Sequence, residues 1–185
     1  MRILAGQYKG KIFSAGNDLS IRPITNRTKE IIYSVLDDFC ENKIVLDLFS
    51  GSGSLGFEAL SRGAKSVTFV EKEISSIRVL KKNIKLLALT ENKVNIIQSD
   101  ALKFLKTPGI EFELILMDPP FKYTVLQELV NEIIAHNILH PKGILVVHHE
   151  INNPLLRNDV AYQLIKQKKI GRSIISFILQ EETDD

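Results

Sequence analysis

The chain has 185 residues, 44% hydrophobic and 25% charged, with a formal net charge of +2. That is the make-up of a soluble globular domain long enough for one sizeable core, and no apolar run approaches the ~18 residues of a membrane span. The single cysteine, Cys40, excludes an internal disulfide and suits a reducing cytoplasm, and the opening residues lack the apolar stretch of a secretory leader.

Charge is unevenly spread. Residues 1–30 hold six basic side chains (Arg2, Lys9, Lys11, Arg22, Arg27, Lys29) against Asp18 and Glu30, a local balance of +4. The tail Glu181-Glu182-Thr183-Asp184-Asp185 carries −4, is expected to fray, and leaves a body of +6. A basic face near the N-terminus fits a polyanionic partner, and it fits an ordinary solvated surface as well.

In chain order, residues 1–16 read as a small β-hairpin. Strand-like runs at 1–5 and 11–14 flank Gly6-Gln7-Tyr8-Lys9-Gly10, where glycines permit a tight reversal. Lys9 and Lys11 with Tyr8 between them, near the tip, could hold a phosphate backbone and stack a base. Arg22-Pro23-Ile24-Thr25-Asn26 then leads into an amphipathic helix with the stripe Ile31, Ile32, Val35, Leu36 and Phe39, capped by Thr25 or Asn26.

From Ile44 onward strand and helix patterns alternate, with strand-like runs at 44–49, 66–70, 93–98, 112–117 and 143–148. The clearest helical stripes between them are Ile74, Ile77, Leu80, Ile84, Leu87 and Val125, Leu126, Leu129, Val130, Ile133, Ile134. Almost wholly apolar central runs predict a parallel sheet with helices on both faces. At the end, Val160, Tyr162 and Leu164 alternate and residues 174–179 follow without a helix, predicting a closing antiparallel pair. The fold class is therefore α/β, in one domain over 1–185: hairpin and helix over 1–40, core over 41–185.

The first of these strands meets the turn Gly51-Ser52-Gly53-Ser54-Leu55-Gly56, which fits G-x-G-x-x-G, with Glu71 20 residues after Gly51. On that pattern alone a nicotinamide-dependent oxidoreductase is a fair reading. Asp47, inside the strand, offers another: an acid there could take a cationic group such as an amino-acid ammonium. Glu71 suits paired ribose hydroxyls, and Asp100, just after the third strand, could accept from an exocyclic amine. Three acids at successive strand ends fit an adenosyl-amino acid better than a pyrophosphate.

Asp118-Pro119-Pro120-Phe121 follows the fourth strand, so it should share the crevice outside the carboxyl ends of the strands with Gly51 and Gly53. Two prolines remove backbone donors and leave carbonyls as acceptors. The Asp118 carboxylate and Pro119 carbonyl could accept both hydrogens of a planar amino group, and Phe121 offers a face for a flipped-out base. His136 and His140, spaced i, i+4, lack a third metal ligand, and His148-His149-Glu150 lacks metalloprotease spacing, so no metal is expected, although the latter run follows the fifth strand and could border the crevice.

These motifs resemble the class I S-adenosylmethionine-dependent methyltransferases, specifically the RsmD family of 16S ribosomal RNA guanine-N2 methyltransferases. The resemblance runs nearly end to end: Met1-Arg2-Ile3-Leu4-Ala5-Gly6-Gln7-Tyr8-Lys9-Gly10-Lys11, Arg22-Pro23, residues 47–56, Leu60-Ser61-Arg62-Gly63-Ala64 and residues 118–121. It implies a Rossmann-like, mostly parallel seven-stranded sheet and S-adenosylmethionine as cofactor. It implies methylation of a guanine N2 in 16S rRNA, the guanine at position 966, in the assembled small subunit, by a cytoplasmic monomer.

RNA contacts are then expected near Arg2, Tyr8, Lys9 and Lys11. Cofactor contacts are expected near Arg22 and Thr25 and along Asp47, Phe49, Ser50, Gly51, Gly53, Glu71, Lys72, Asp100, Ala101 and Asp118, with Asp118, Pro119, Pro120 and Phe121 as catalytic residues. The chain departs from the family pattern at Ile24, in place of threonine, at Asn26, in place of aspartate, and at Lys29, where arginine is common. Asn26 forgoes a helix-dipole charge worth ~0.3–1 kcal/mol, and Lys29 forgoes bidentate geometry. The expected mechanism is direct methyl transfer. Its rivals are an adenine-N6 nucleic-acid methyltransferase, the oxidoreductase, and a non-catalytic RNA-binding protein.

Overall fold

The computed structural model describes residues 1–16, 24–120, 125–155 and 162–180. Arg22, Pro23 and Phe121, the alternation at Val160 and the acidic tail lie outside the described residues.

The sheet has seven strands: β1 (Ile44–Leu48), β2 (Ser66–Glu71), β3 (Val94–Gln98), β4 (Phe112–Met117), β5 (Leu139–Glu150), β6 (Tyr162–Ile170) and β7 (Ser173–Gln180). Their order is β3-β2-β1-β4-β5-β7-β6, parallel from β3 to β5, with β7 antiparallel to β5 and β6. Order reverses between β1 and β4, where Leu48 pairs with Met117. That switch point opens the crevice in which ligands of such sheets sit.

Among the described residues five α-helices cover it: α1 (Asn26–Leu36), α2 (Ser54–Ser61), α3 (Ile74–Leu87), α4 (Ala101–Leu105) and α5 (Leu126–Ala135). Side chains alternate across each strand, so the core divides in two. Val45, Val67, Phe69, Leu114, Leu116 and Phe177 pack with Ile32, Phe57, Leu60 and Leu80 of α1, α2 and α3. Leu46, Leu48, Val70, Ile115, Met117 and Val147 pack with Phe104, Leu129 and Ile133 of α4 and α5.

The structure corrects several expected boundaries. β5 starts at Leu139 rather than 143, accommodating Pro141 where the β4–β5 register shifts between Phe112 and Leu114. His140 therefore lies in a strand and shares no helix face with His136. The α1 stripe stops at Leu36; Asp37–Cys40 is a 3-10 turn. Thr25, not Asn26, caps α1, its Oγ1 accepting from Thr28 N at 3.1 Å. Ile74 is exposed although it begins the α3 stripe.

The N-terminal hairpin is short: around the Arg2–Ile12 bridge Met1 and Phe13 exchange backbone hydrogen bonds (2.8 and 3.0 Å), Ile3 N donates to Lys11 O at 3.0 Å and Gly10 N to Ile3 O at 2.9 Å. Beyond these pairs the segment is tied to α2. Glu58 takes the N–H groups of Leu4 (2.8 Å) and Ala5 (3.0 Å), while Ser61 takes Gln7 N through its carbonyl (2.8 Å) and Tyr8 N through Oγ (3.0 Å). Ile3 and Phe13 are buried in the α1–α3 half of the core, so the segment is a strap across α2 and α3.

Candidate active site

The crevice is built from the turn after β1. Phe49 and Ser50 both donate their N–H to the Val70 carbonyl at 3.1 Å, fastening the turn to β2, and Gly53 N closes it on Ser50 O at 2.7 Å. Phe49 has φ +70, a strained conformation for a non-glycine residue. Gly51 (φ +51) and Gly53 (φ +88) divide the work. A side chain at Gly51 would point into open space, whereas at Gly53 it would lie 2.5 Å from Leu80 Cδ1 and Phe57 Cε2. Gly51 thus keeps the mouth of the turn clear, and Gly53 lets α2 pack.

The three strand-end acids differ in what holds them. Asp47 is 1% exposed and lies beneath the turn, its Oδ2 accepting from Gly56 N at 2.8 Å. Burial pushes its carboxyl up to about 7, against the pull of the Gly56 hydrogen bond and with help from Asp118 and Glu71. Glu71 is half-buried at the rim: Oε2 accepts from Gly51 N (2.8 Å), Oε1 from Lys72 N (2.7 Å) and Glu73 N (2.8 Å). A carboxylate has about four acceptor sites, so Oε2 retains one for a ligand hydroxyl. Asp100 caps α4 through Lys103 N at 3.4 Å and pairs with Lys72 Nζ at 3.6 Å in solvent. Ala101, buried, begins α4 beside it.

Asp118 follows β4 with its side chain 22% exposed, and Pro119 beside it is buried. The acids at the ends of β1, β2 and β4 and the glycine turn thus gather at one edge, as expected. Ser50 and Ser54 hydroxyls are buried there without hydrogen-bond partners among the described residues. An orphaned Ser50 Oγ, a clear Gly51 and acceptors on Glu71, Asp100 and Asp118 suit a polar ligand with hydroxyl and amino donors. No group of three or more His, Cys, Asp or Glu among the described residues could hold a metal ion.

The strap runs from the crevice to the far ends of α2 and α3. Its ends reach the crevice: Met1 Sδ accepts from Ser52 Oγ at 3.2 Å, and Asn83 binds the carbonyls of Ser14 (2.9 Å) and Ser52 (3.0 Å). Its tip lies at the far ends of α2 and α3, ~12–20 Å from the turn at 1.5 Å per helical residue. There Lys11 Nζ donates to Leu87 O at 3.3 Å and stands 5.0 Å from the Tyr8 ring centre, while Lys9 and Arg2 are exposed. Beside Gly51 a cavity of about 360 Å³ opens toward α3, lined among others by Gly16, Ser52, Ser75, Arg78 and Lys82. The strand-end acids do not line it.

Three sets of contacts escaped sequence reading, which placed His148 at the border of the crevice but gave it no partner. Glu58 collects Lys29 (3.5 Å), Arg62 (3.1 Å) and two strap amides. Asn83, wholly buried, joins the strap and the turn. His148 binds Asp118 and Ser173. The only available signal was a polar residue on an apolar helix face, Glu58 between Leu55 and Leu60 and Asn83 between Leu80 and Leu87.

The sequence matches the family described as "Conserved hypothetical protein 95" over residues 1–179. It is 34% identical over 183 residues to "Ribosomal RNA small subunit methyltransferase D" of Haemophilus influenzae, covering 98% of this chain and 93% of that protein. It is 30% identical over 172 residues to the protein of that name from Escherichia coli K12, covering 93% and 86%. Among solved structures it is similar to "Putative methyltransferase yhhF from Escherichia coli", with TM-score 0.88, 28% identity and 99% of each chain covered. With a match spanning all but the last few residues, the chain belongs to this family, the RsmD family of S-adenosylmethionine-dependent methyltransferases.

Proposed function

We propose that this chain, a single methyltransferase domain acting as a monomer in the cytoplasm, methylates the exocyclic N2 of a guanine in 16S ribosomal RNA. The acceptor is the guanine at position 966, in the assembled small subunit. The reading is supported by relatives named as small-subunit rRNA methyltransferases. The observation that carries the chemistry is Asp118, an acid followed by two prolines at the switch-point crevice beside the glycine turn.

S-adenosylmethionine, when bound, supplies an electrophilic methyl group. Gly51, Ser50, Glu71 and Asp100 are the residues that would hold it, with Thr25, Phe49, Gly53, Lys72 and Ala101 shaping the walls. Asp47 acts from beneath by tying the start of α2 to β1. Asp118 and the Pro119 carbonyl accept the two hydrogens of the guanine amino group. Holding those hydrogens favours lone-pair density on nitrogen that otherwise delocalises into the ring. Most of the acceleration then comes from orientation, and the proton can leave after methylation. With the strap tip about a helix length from the crevice, Arg2, Lys9 and Lys11 would meet RNA flanking the target rather than the flipped base.

The test is tritium transfer from labelled S-adenosylmethionine to small subunits lacking the modification, followed by nucleoside analysis. Label in N2-methylguanosine is expected, and Asp118→Ala should reduce it ~10²-fold or more. Label in N6-methyladenosine, or undiminished transfer by Asp118→Ala, overturns the assignment.

A further inference from the structure

His148, in β5, has no part in the function above, yet it sits directly behind Asp118. Its Nδ1 is 2.8 Å from Asp118 Oδ1 and its Nε2 2.9 Å from Ser173 Oγ in β7, with the ring only 8% exposed. An ionised carboxylate can only accept, so the hydrogen of the first contact belongs to Nδ1. Ser173 Oγ also lies 3.1 Å from the Ile170 carbonyl. With its hydrogen on that carbonyl, Ser173 receives Nε2–H and the ring is an imidazolium. With its hydrogen turned to Nε2, the ring is neutral. Nδ1 keeps its hydrogen toward Asp118 in both states.

The neighbouring His149 is held otherwise. Its Nδ1 faces the carbonyls of Glu150 (3.1 Å) and Asn153 (3.0 Å), and its Nε2 meets Ser176 Oγ at 2.9 Å, on the opposite side of the strand. Of the two histidines, His148 alone contacts a residue of the proposed acceptor site.

A carboxylate rotates freely about its last torsion unless something holds one oxygen. Among the described residues Asp118 Oδ2 has no hydrogen-bond partner, whereas Oδ1 is held by His148. We propose that His148 is a positioning residue: braced by Ser173, it pins Asp118 Oδ1 and so presents Oδ2 to the amino group that is methylated. The inference rests on the proposed function for the identity of that amino group, and on the hydrogen-bond geometry alone for the pin itself.

The test compares His148→Phe, His148→Asn and His148→Gln in single-turnover methyl transfer to small ribosomal subunits, with cofactor affinity measured by calorimetry on the same preparations. Asparagine places an amide nitrogen where Nδ1 stands and can still donate to Oδ1; glutamine places it near Nε2, toward Ser173. His148→Phe should slow transfer about tenfold or more while leaving cofactor affinity within about twofold. His148→Asn should recover most of the rate and His148→Gln little of it.

Full activity in His148→Phe, or equal rescue by glutamine and asparagine, overturns the proposal. Should the phenylalanine variant fail to fold, the asparagine and glutamine variants still decide it. Nitrogen NMR of the free protein gives an independent reading: a protonated Nδ1 that responds to Asp118→Asn is expected, and a bare Nδ1 overturns the pin. If wild-type protein transfers no label to the subunits, the acceptor reading has failed, and the NMR result still decides the pin.

Discussion

Lys29 Nζ lies 3.5 Å from Glu58 Oε2, and both side chains are fully buried. The same carboxylate takes Leu4 N, Ala5 N and Arg62 Nε, while Lys29 also donates to the Arg2 carbonyl at 2.7 Å. One acid thus joins α1, α2 and the strap. Burial lowers the Lys29 pKa, opposed chiefly by the charge of Glu58. Removing one partner of a buried pair leaves the other uncompensated, at about 3–5 kcal/mol. Glu58→Ala should therefore lower Tm by roughly 10 °C. Lys29→Met should cost less, because Glu58 keeps three other donors. Calorimetry on the two variants checks the order.

Asp47 should leave a signature in stability against pH. Its folded carboxyl titrates at about 7, whereas an unfolded aspartate titrates near ~4. Between those values the folded state binds more protons, so stability falls as pH rises from about 4 to about 7 and then levels. Asp47→Asn keeps an acceptor for Gly56 N–H and has no proton to lose. The difference in unfolding free energy between the two proteins should change across that window, and a constant difference rejects the assignment.

The two glycines of the turn should fail in different ways. Gly53→Ala forces a methyl group against Leu80 and Phe57 at φ +88, so denaturant melting should show a loss of about 1–3 kcal/mol. Gly51→Ala meets nothing in the protein and should cost stability less, while cofactor affinity falls at least tenfold because the methyl group enters the space kept for the ligand. Equal affinity in Gly51→Ala and wild type would remove Gly51 from the cofactor site.

Lys9 is the cleanest probe of the proposed RNA surface, since Lys11 is engaged with Leu87 and Tyr8. Lys9→Ala should raise KM for small subunits a few-fold and reduce the slope of affinity against salt by about 1. Kinetics over a series of salt concentrations measures both.

Cys40 should be inert while the protein is folded. It is completely buried, and burial pushes its thiol up to about 12. A thiol reagent should label it only on unfolding. Rapid labelling of native protein would contradict its place in the core.

Much of this molecule was legible along the chain. Apolar runs at strand spacing placed β1 to β5 within a few residues, most plainly at β1 and β4 in the middle of the sheet, because strands buried on both faces carry few polar side chains. Gly51, Gly53, Glu71 and Asp118 were legible as neighbours at one edge because turn chemistry is local, and the carboxyl-edge rule brings successive strand ends together. The sequence by itself therefore determined the winding and the edge at which the glycine turn and the strand-end acids gather. Only the tertiary structure decided which of them face outward. Asp47 is sealed under its own turn, the strap tip that holds Tyr8 and Lys9 lies at the far end of α2, and Glu58 and Lys29 meet across 29 residues. Asp118 finds His148 across 30 residues, and His148 finds Ser173 across 25. Such pairs leave no periodicity in the chain, because the contact comes from strand order and helix packing rather than from spacing.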